Sequence, residues 1–176
     1  MRSQIVAIIL GSDSDLPVMQ DAISIFNKAG VSYEIIIASA HRSLRYLQKT
    51  IKVMEKRGTK IFIAGAGHSA ALPGVIAAET TIPVIGVPID SSNLKGIDSL
   101  YSIVQMPSGI PVATMAIGKS GATNSAILAI EILSINNNKL KKWLLRYRQK
   151  LYQDVITKSK LLKQKGYKKY LEGMRK

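Results

Sequence analysis

His41 and Arg42 are adjacent, and together they could bind an anion and move a proton. They lie in Ser39-Ala40-His41-Arg42-Ser43, directly after the apolar run Tyr33–Ala38. An imidazole titrates near neutral pH, so it both donates and accepts protons. A guanidinium offers a rigid fork of donors that grips a phosphate bidentately. The competing reading of His41 is a satisfied polar residue at a strand end, and position alone does not separate the two. A second candidate loop is Gly11-Ser12-Asp13-Ser14-Asp15. Gly11 permits a tight turn, Ser12 and Ser14 offer hydroxyls, and a helix starting here would present free N–H groups to an anion or sugar phosphate. Asp15 could accept hydrogen bonds from ribose hydroxyls or a ring amine. It could equally cap the helix, and one oxygen can do each. A third loop, Gly65-Ala66-Gly67-His68-Ser69-Ala70, matches G-x-G-x-x-G/A, with Asp90 following 20 residues after Ala70. That resembles a dinucleotide-binding fingerprint. However, it would follow the third strand rather than the first, and Leu72-Pro73-Gly74 interrupts the helix the fingerprint needs.

Other chemistries have no residues to carry them. The chain has 176 residues, no cysteine and two histidines. A thiol nucleophile, a disulfide and a thiolate zinc site are therefore excluded. There is no P-loop, no G-x-S-x-G elbow and no H-E-x-x-H, and no catalytic metal is expected. Residue chemistry alone reaches a site for a phosphorylated small molecule with one candidate acid/base.

Such loops need a frame. Gln4–Leu10, Tyr33–Ala38, Lys60–Ala64, Val84–Val87 and Val112–Ile117 are short, uninterrupted apolar runs rich in Ile and Val. Runs of this kind suit strands buried on both faces of a parallel sheet. Helical patterns alternate with them. Asp15 would cap one with a Met19, Ile23, Phe26 stripe and Gly30 as its stop. Ser43 would cap another with Leu44, Leu47, Ile51 and Met54, and Gly58 as its stop. A third helix would begin near Pro73, and a fourth would run from Ala122 to Leu133. The expected fold class is α/β, a three-layer αβα sandwich with a central parallel sheet of about five strands. In such a sheet, ligands bind beyond the carboxyl ends of the strands, where the three candidate loops fall. Lys95–Tyr101 and Gln105–Pro111 are dense in Gly and Pro and read as shaped active-site walls.

The domain divides as 1–136, the α/β body, and 137–176, a basic helical extension packing on the same or a neighbouring subunit. Leu140, Leu144, Tyr147 and Leu151 recur at helical spacing. The helix could continue to Lys165, with Gly166 turning the chain into a short last one. The net charge of +14 concentrates here: residues 139–176 carry 14 Lys+Arg against 2 Asp+Glu, while residues 1–138 carry 11 against 9. A solvated or subunit-contacting helix face is expected, and RNA binding is the lesser alternative. No apolar run reaches the roughly 18 residues that would span a bilayer. The N-terminus reads as a first strand and not a signal peptide. A cytoplasmic protein with neither a membrane nor a nucleic-acid partner is the expectation.

Several long motifs occur together and in order: GSDSD, SAHR, AGAGHSAALPG, IPVIGVP and LKGIDSLYSIVQMPSGIPVAT. With them the chain strongly resembles the class I N5-carboxyaminoimidazole ribonucleotide mutases, the catalytic proteins of phosphoribosylaminoimidazole carboxylase, over about residues 4–135. The resemblance implies a flavodoxin-like fold, a homo-octamer and a carboxyl-moving isomerase of purine synthesis that uses no metal, ATP or organic cofactor. It also implies an ATP-dependent synthetase that supplies the substrate. His41 takes the position of the catalytic proton shuttle, Arg42 that of the 5′-phosphate clamp, and Ser12 and Asp15 those of ligand contacts. Ser14, Ser39, Gly67 and Leu72 complete the expected substrate-binding set. One departure stands out: Ala71 occupies the family's usual second-histidine position and His68 a usual glycine position, which makes His68 a possible auxiliary group. SAHR and Leu72-Pro73-Gly74 favour the mutase over a carboxylase that uses CO2 directly. A non-catalytic nucleotide- or RNA-binding protein is the remaining alternative.

Overall fold

The structure is a computed structural model, and it describes residues 5–174. The strands are β1 (Val6–Leu10), β2 (Tyr33–Ile37), β3 (Ile61–Ala66), β4 (Val84–Pro88) and β5 (Ala113–Thr114). All pair in parallel, in the order β2-β1-β3-β4-β5. Every residue of β1, β3 and β4 is buried, which explains their continuous apolar sequences. Edge strand β2 is half-buried. Gln4 of the first expected strand lies outside the described residues. The last strand is shorter than its apolar run, Val112–Ile117, because only Ala113 and Thr114 pair with β4.

Helices α1 (Leu16–Ala29), α2 (Leu44–Lys56), α3 (Leu72–Glu79), α4 (Ile97–Val104) and α5 (Gly118–Ser134) follow the five strands in turn. Helices α2, α3 and α4 share one core with the sheet. Leu47, Ile51 and Met54 of α2, Ile76 of α3 and Ile103 of α4 cluster with Ala7, Ile9, Phe62 and Ala64. The opposite strand face carries Leu10, near Gly65 and Met19 of α1. Met19 and Phe26 are fully buried, each worth about 1.5–3 kcal/mol relative to exposure. The α1 stripe is Met19, Ala22, Ile25, Phe26 and Ala29, and Ile23 is only half-buried. The helix stops at Gly30, whose φ of 70° is costly for residues with a Cβ.

Two capping expectations are corrected. Asp15 stands at the α1 N-cap position and Ser43 at that of α2, but neither side chain caps. The Ser43 hydroxyl is spent on Ser39 instead, accepting from its N–H at 2.9 Å and donating to its carbonyl at 3.2 Å. A Pro in the first turn serves α1, since it brings no N–H that needs a partner. Leu44, expected in the α2 stripe, is 43% exposed. Helix α4 takes up Ile97–Tyr101 of the expected wall Lys95–Tyr101.

The chain forms two compact units, Met1–Leu133 and Ser134–Lys176. The second holds α6 (Asn138–Lys165) and α7 (Tyr167–Met174), separated by Gly166. The Asn137 side chain caps α6 by accepting from the N–H groups of Lys139 and Leu140. Trp143 and Tyr147 stack with ring centroids 5.2 Å apart. No helix among the described residues is long and apolar enough to cross a membrane.

Candidate active site

Strand β1 continues to α1 and β2 on one side of the sheet, while β3 lies on its other side. The connections at the carboxyl ends of β1 and β3 therefore diverge and leave a crevice between them. A cavity of about 400 Å³ occupies it. Its walls are the loops after β1, β2 and β3, with Ser91 from beyond β4. Ser12, Ser14, Asp15, Ser39, His41, Arg42, Gly67, His68 and Leu72 all line it, so every candidate site residue converges on one cavity.

The first loop winds tightly on itself. Ser12 caps the short 3-10 turn Asp13–Asp15: its Oγ accepts from the Ser14 N–H at 3.3 Å and from the Ser14 hydroxyl at 2.9 Å. Arg42 ties the second loop to the first. Its Nη2 donates to the Gly11 carbonyl at 2.9 Å, and its backbone N–H donates to Ser39 Oγ at 3.2 Å. Among the described residues no carboxylate forms an ion pair with Arg42, which leaves its charge available to an anion. His41 is exposed, and no protein hydrogen bond holds its ring among the described residues. The reading of His41 as a satisfied polar group therefore loses its support.

Asp15 is 5% exposed. Burial raises its carboxyl above the ordinary 3.8, and Asp13 adds to the rise. A hydrogen bond from the Ser12 backbone and the charges of His68 and Arg42 oppose it. The folded chain thus holds this proton more tightly than the unfolded chain does. The resulting stabilisation is full below the unfolded pKa and is lost as pH rises through the raised folded pKa. Above the unfolded pKa, the raised folded pKa makes Asp15 a net cost to the stability of the unliganded protein. Asp15→Asn is expected to melt higher than wild type at about pH 7, with the gap closing toward about pH 4. Thermal denaturation across that range checks it. A variant that melts lower at every pH would show that the carboxylate supports the fold.

The third loop does not behave as a dinucleotide fingerprint. Gly65 is a buried strand residue in β3, and a Cβ there would come within 2.9 Å of Leu10 Cδ2. Helix α3 begins only at Leu72. Gly67 is required for a different reason: a Cβ would overlap Ser91 Oγ, at 1.8 Å. The expected walls Lys95–Tyr101 and Gln105–Pro111 do not line this cavity. Gly109, Ile110 and Pro111 instead line a second cavity of about 700 Å³, with Val84 at the amino end of β4. Ser91 is absent from the residues expected from sequence, although it lies only three residues beyond the end of β4, in a loop that the rule of reading each strand's carboxyl end covers. Among the described residues no cluster of His, Asp and Glu could hold a metal ion.

The family model described as AIR carboxylase matches residues 5–154. A Pyrococcus horikoshii protein named N5-carboxyaminoimidazole ribonucleotide mutase is 52% identical over 173 residues, covering 97% of each chain. A Candida glabrata protein named phosphoribosylaminoimidazole carboxylase is 47% identical over 173 residues, which is 98% of this chain and 30% of that longer one. The crystal structure of Treponema denticola PurE superposes with a TM-score of 0.82 at 30% identity, covering 90% of this chain and 98% of that one.

Proposed function

The chain belongs to the AIR carboxylase family, and on that premise we propose that it is an isomerase of purine biosynthesis, an N5-carboxyaminoimidazole ribonucleotide mutase. It moves the carboxylate of N5-carboxyaminoimidazole ribonucleotide from the exocyclic nitrogen to ring carbon C4. The observation that carries this reading is the cavity itself. It sets an imidazole and an unpaired guanidinium side by side at the sheet's switch point, in a chain about half identical to named mutases.

Arg42 takes the 5′-phosphate. Ser12, Ser14 and Ser39 supply hydroxyls around it, and Asp15 accepts from ribose hydroxyls or the ring amine. His41 first gives a proton to the exocyclic nitrogen as its bond to the carboxyl carbon breaks, and that electron pair returns to nitrogen. CO2 and aminoimidazole ribonucleotide are then held together. C4 attacks CO2, and the neutral imidazole removes the C4 proton, which restores the aromatic ring. One proton leaves His41 and one returns, so the cycle closes. Holding CO2 beside C4 replaces a bimolecular encounter with an intramolecular one. His41, Arg42 and His68 are exposed in the single chain. Excluding water therefore requires the bound nucleotide and a neighbouring copy.

A homo-octamer meets that need. Ile97, Tyr101 and Val104 are exposed at helical spacing on α4. Leu151, Val155 and Leu162 are exposed along α6, giving the basic extension an apolar stripe for a neighbouring subunit. Tyr101→Glu is expected to lower the oligomeric state in analytical ultracentrifugation and to reduce turnover roughly tenfold or more. An unchanged octamer would remove α4 from the interface. We place the enzyme in the cytoplasm, supplied by an ATP-dependent synthetase. The additional length of the Candida glabrata relative accords with such a coupling.

The deciding assay uses purified protein and freshly made N5-carboxyaminoimidazole ribonucleotide, without ATP or metal, and follows product absorbance. Product formation supports the mutase. Turnover only of aminoimidazole ribonucleotide with bicarbonate would make it a direct carboxylase.

A further inference from the structure

His68 is built into the cavity at a conformational cost. Its φ is 54°, in the left-handed region that residues with a Cβ rarely occupy. A strained residue persists when its surroundings hold it there. The surroundings here are specific. Ser91 Oγ lies 3.0 Å from His68 Nδ1, and Gly67, next in the chain, lacks the Cβ that would displace that hydroxyl. Among the described residues, Nε2 has no protein hydrogen-bond partner. Both His68 and Ser91 line the cavity that Asp15 also lines.

We propose that His68 is a substrate-contacting residue whose Nε2–H binds the carboxylate in transit, and that Ser91 is the positioning residue that fixes this tautomer. This rests on the mutase reading above. In the proposed tautomer the Ser91 hydroxyl donates to Nδ1, 3.0 Å away, and the ring proton sits on Nε2. The donor then meets a carboxylate, a class of ligand that neither Arg42 nor His41 needs to hold. Of the charged groups, Asp15 interacts electrostatically with His68, and Arg42 lines the same cavity.

His68→Gly is the informative variant, because glycine accepts the observed φ and relieves the strain while it deletes the imidazole. Two probes separate the roles: 4-carboxyaminoimidazole ribonucleotide and its decarboxylated counterpart, aminoimidazole ribonucleotide. The variant is expected to lose about 10–100-fold affinity for the carboxylated nucleotide, as for one charge-assisted hydrogen bond, and less than about threefold for the other. In wild type, 15N NMR is expected to show the Nε2–H tautomer of His68. In Ser91→Ala it should show a mixture, with a smaller loss of the same affinity. Equal losses for both nucleotides, no loss for either, or an Nδ1–H tautomer in wild type would each overturn the inference. A wild type that binds neither nucleotide would overturn the mutase reading and this inference with it.

Discussion

His41→Asn is expected to reduce turnover by about 10³-fold or more and to leave nucleotide affinity within about threefold. General acid–base catalysis contributes roughly 10²–10⁴ to a single proton transfer. This ring is proposed to serve two transfers in sequence, protonating the exocyclic nitrogen and then deprotonating C4. Asparagine is close in size and polar but cannot carry a proton between two atoms. The fold has little at stake, since His41 is exposed and its ring has no protein hydrogen bond among the described residues. The melting temperature is therefore expected to stay within about a degree. Steady-state kinetics beside isothermal titration with the product nucleotide separates the two effects. A variant that turns over at near wild-type rate would move the proton shuttle to another group, with His68 the next imidazole in the cavity.

Arg42→Met should produce the opposite kinetic signature. KM is expected to rise by about 10²–10³-fold while kcat falls less, because a bidentate guanidinium–phosphate contact is made in ground state and transition state alike. Methionine keeps much of the stem's bulk and removes the charge. Arg42 also donates to the Gly11 carbonyl, so part of the loss could arise from loosening the first loop. A nucleoside without the 5′-phosphate distinguishes the causes. If wild type and variant bind that nucleoside equally, the loss is the phosphate contact; if the variant also loses the nucleoside, the Gly11 tie matters. Arg42→Lys is expected to recover only part of the affinity. An ammonium is a point donor and cannot hold the Gly11 carbonyl and a phosphate in one planar fork. An Arg42→Met enzyme with wild-type KM would place the phosphate elsewhere.

The frame of this protein was legible in the sequence for a simple reason. Strands buried on both faces need continuous apolar runs, so Val6–Leu10, Ile61–Ala66 and Val84–Pro88 carry their assignment in composition alone. Gly30 and Gly166 mark helix ends because their positive φ is costly for other residues. Helix α4 is not legible in the sequence because it is only eight residues long and begins after Gly96 in a stretch rich in loop-formers. The capping readings of Asp15 and Ser43 failed because residue type announces what a side chain can do, while nearby partners decide what it does. Ser43 found Ser39, and the Asp15 carboxylate is buried at the crevice.

Taken alone, the sequence determined the parallel α/β architecture and the set of candidate loops, while the resemblance of its ordered motifs pointed to the family. The architecture and the loops depend on local apolar patterning and on residue chemistry at strand ends, both written along the chain. Only the tertiary structure decided how the loops meet. Strand order put β1 between β2 and β3, and so joined Asp15, Arg42 and His68 around one cavity across more than fifty residues of chain. It also brought Ser91 within 3.0 Å of His68 and used Gly67 to clear the way. Such contacts come from the order in which strands pair and the burial that order creates. No local spacing encodes them.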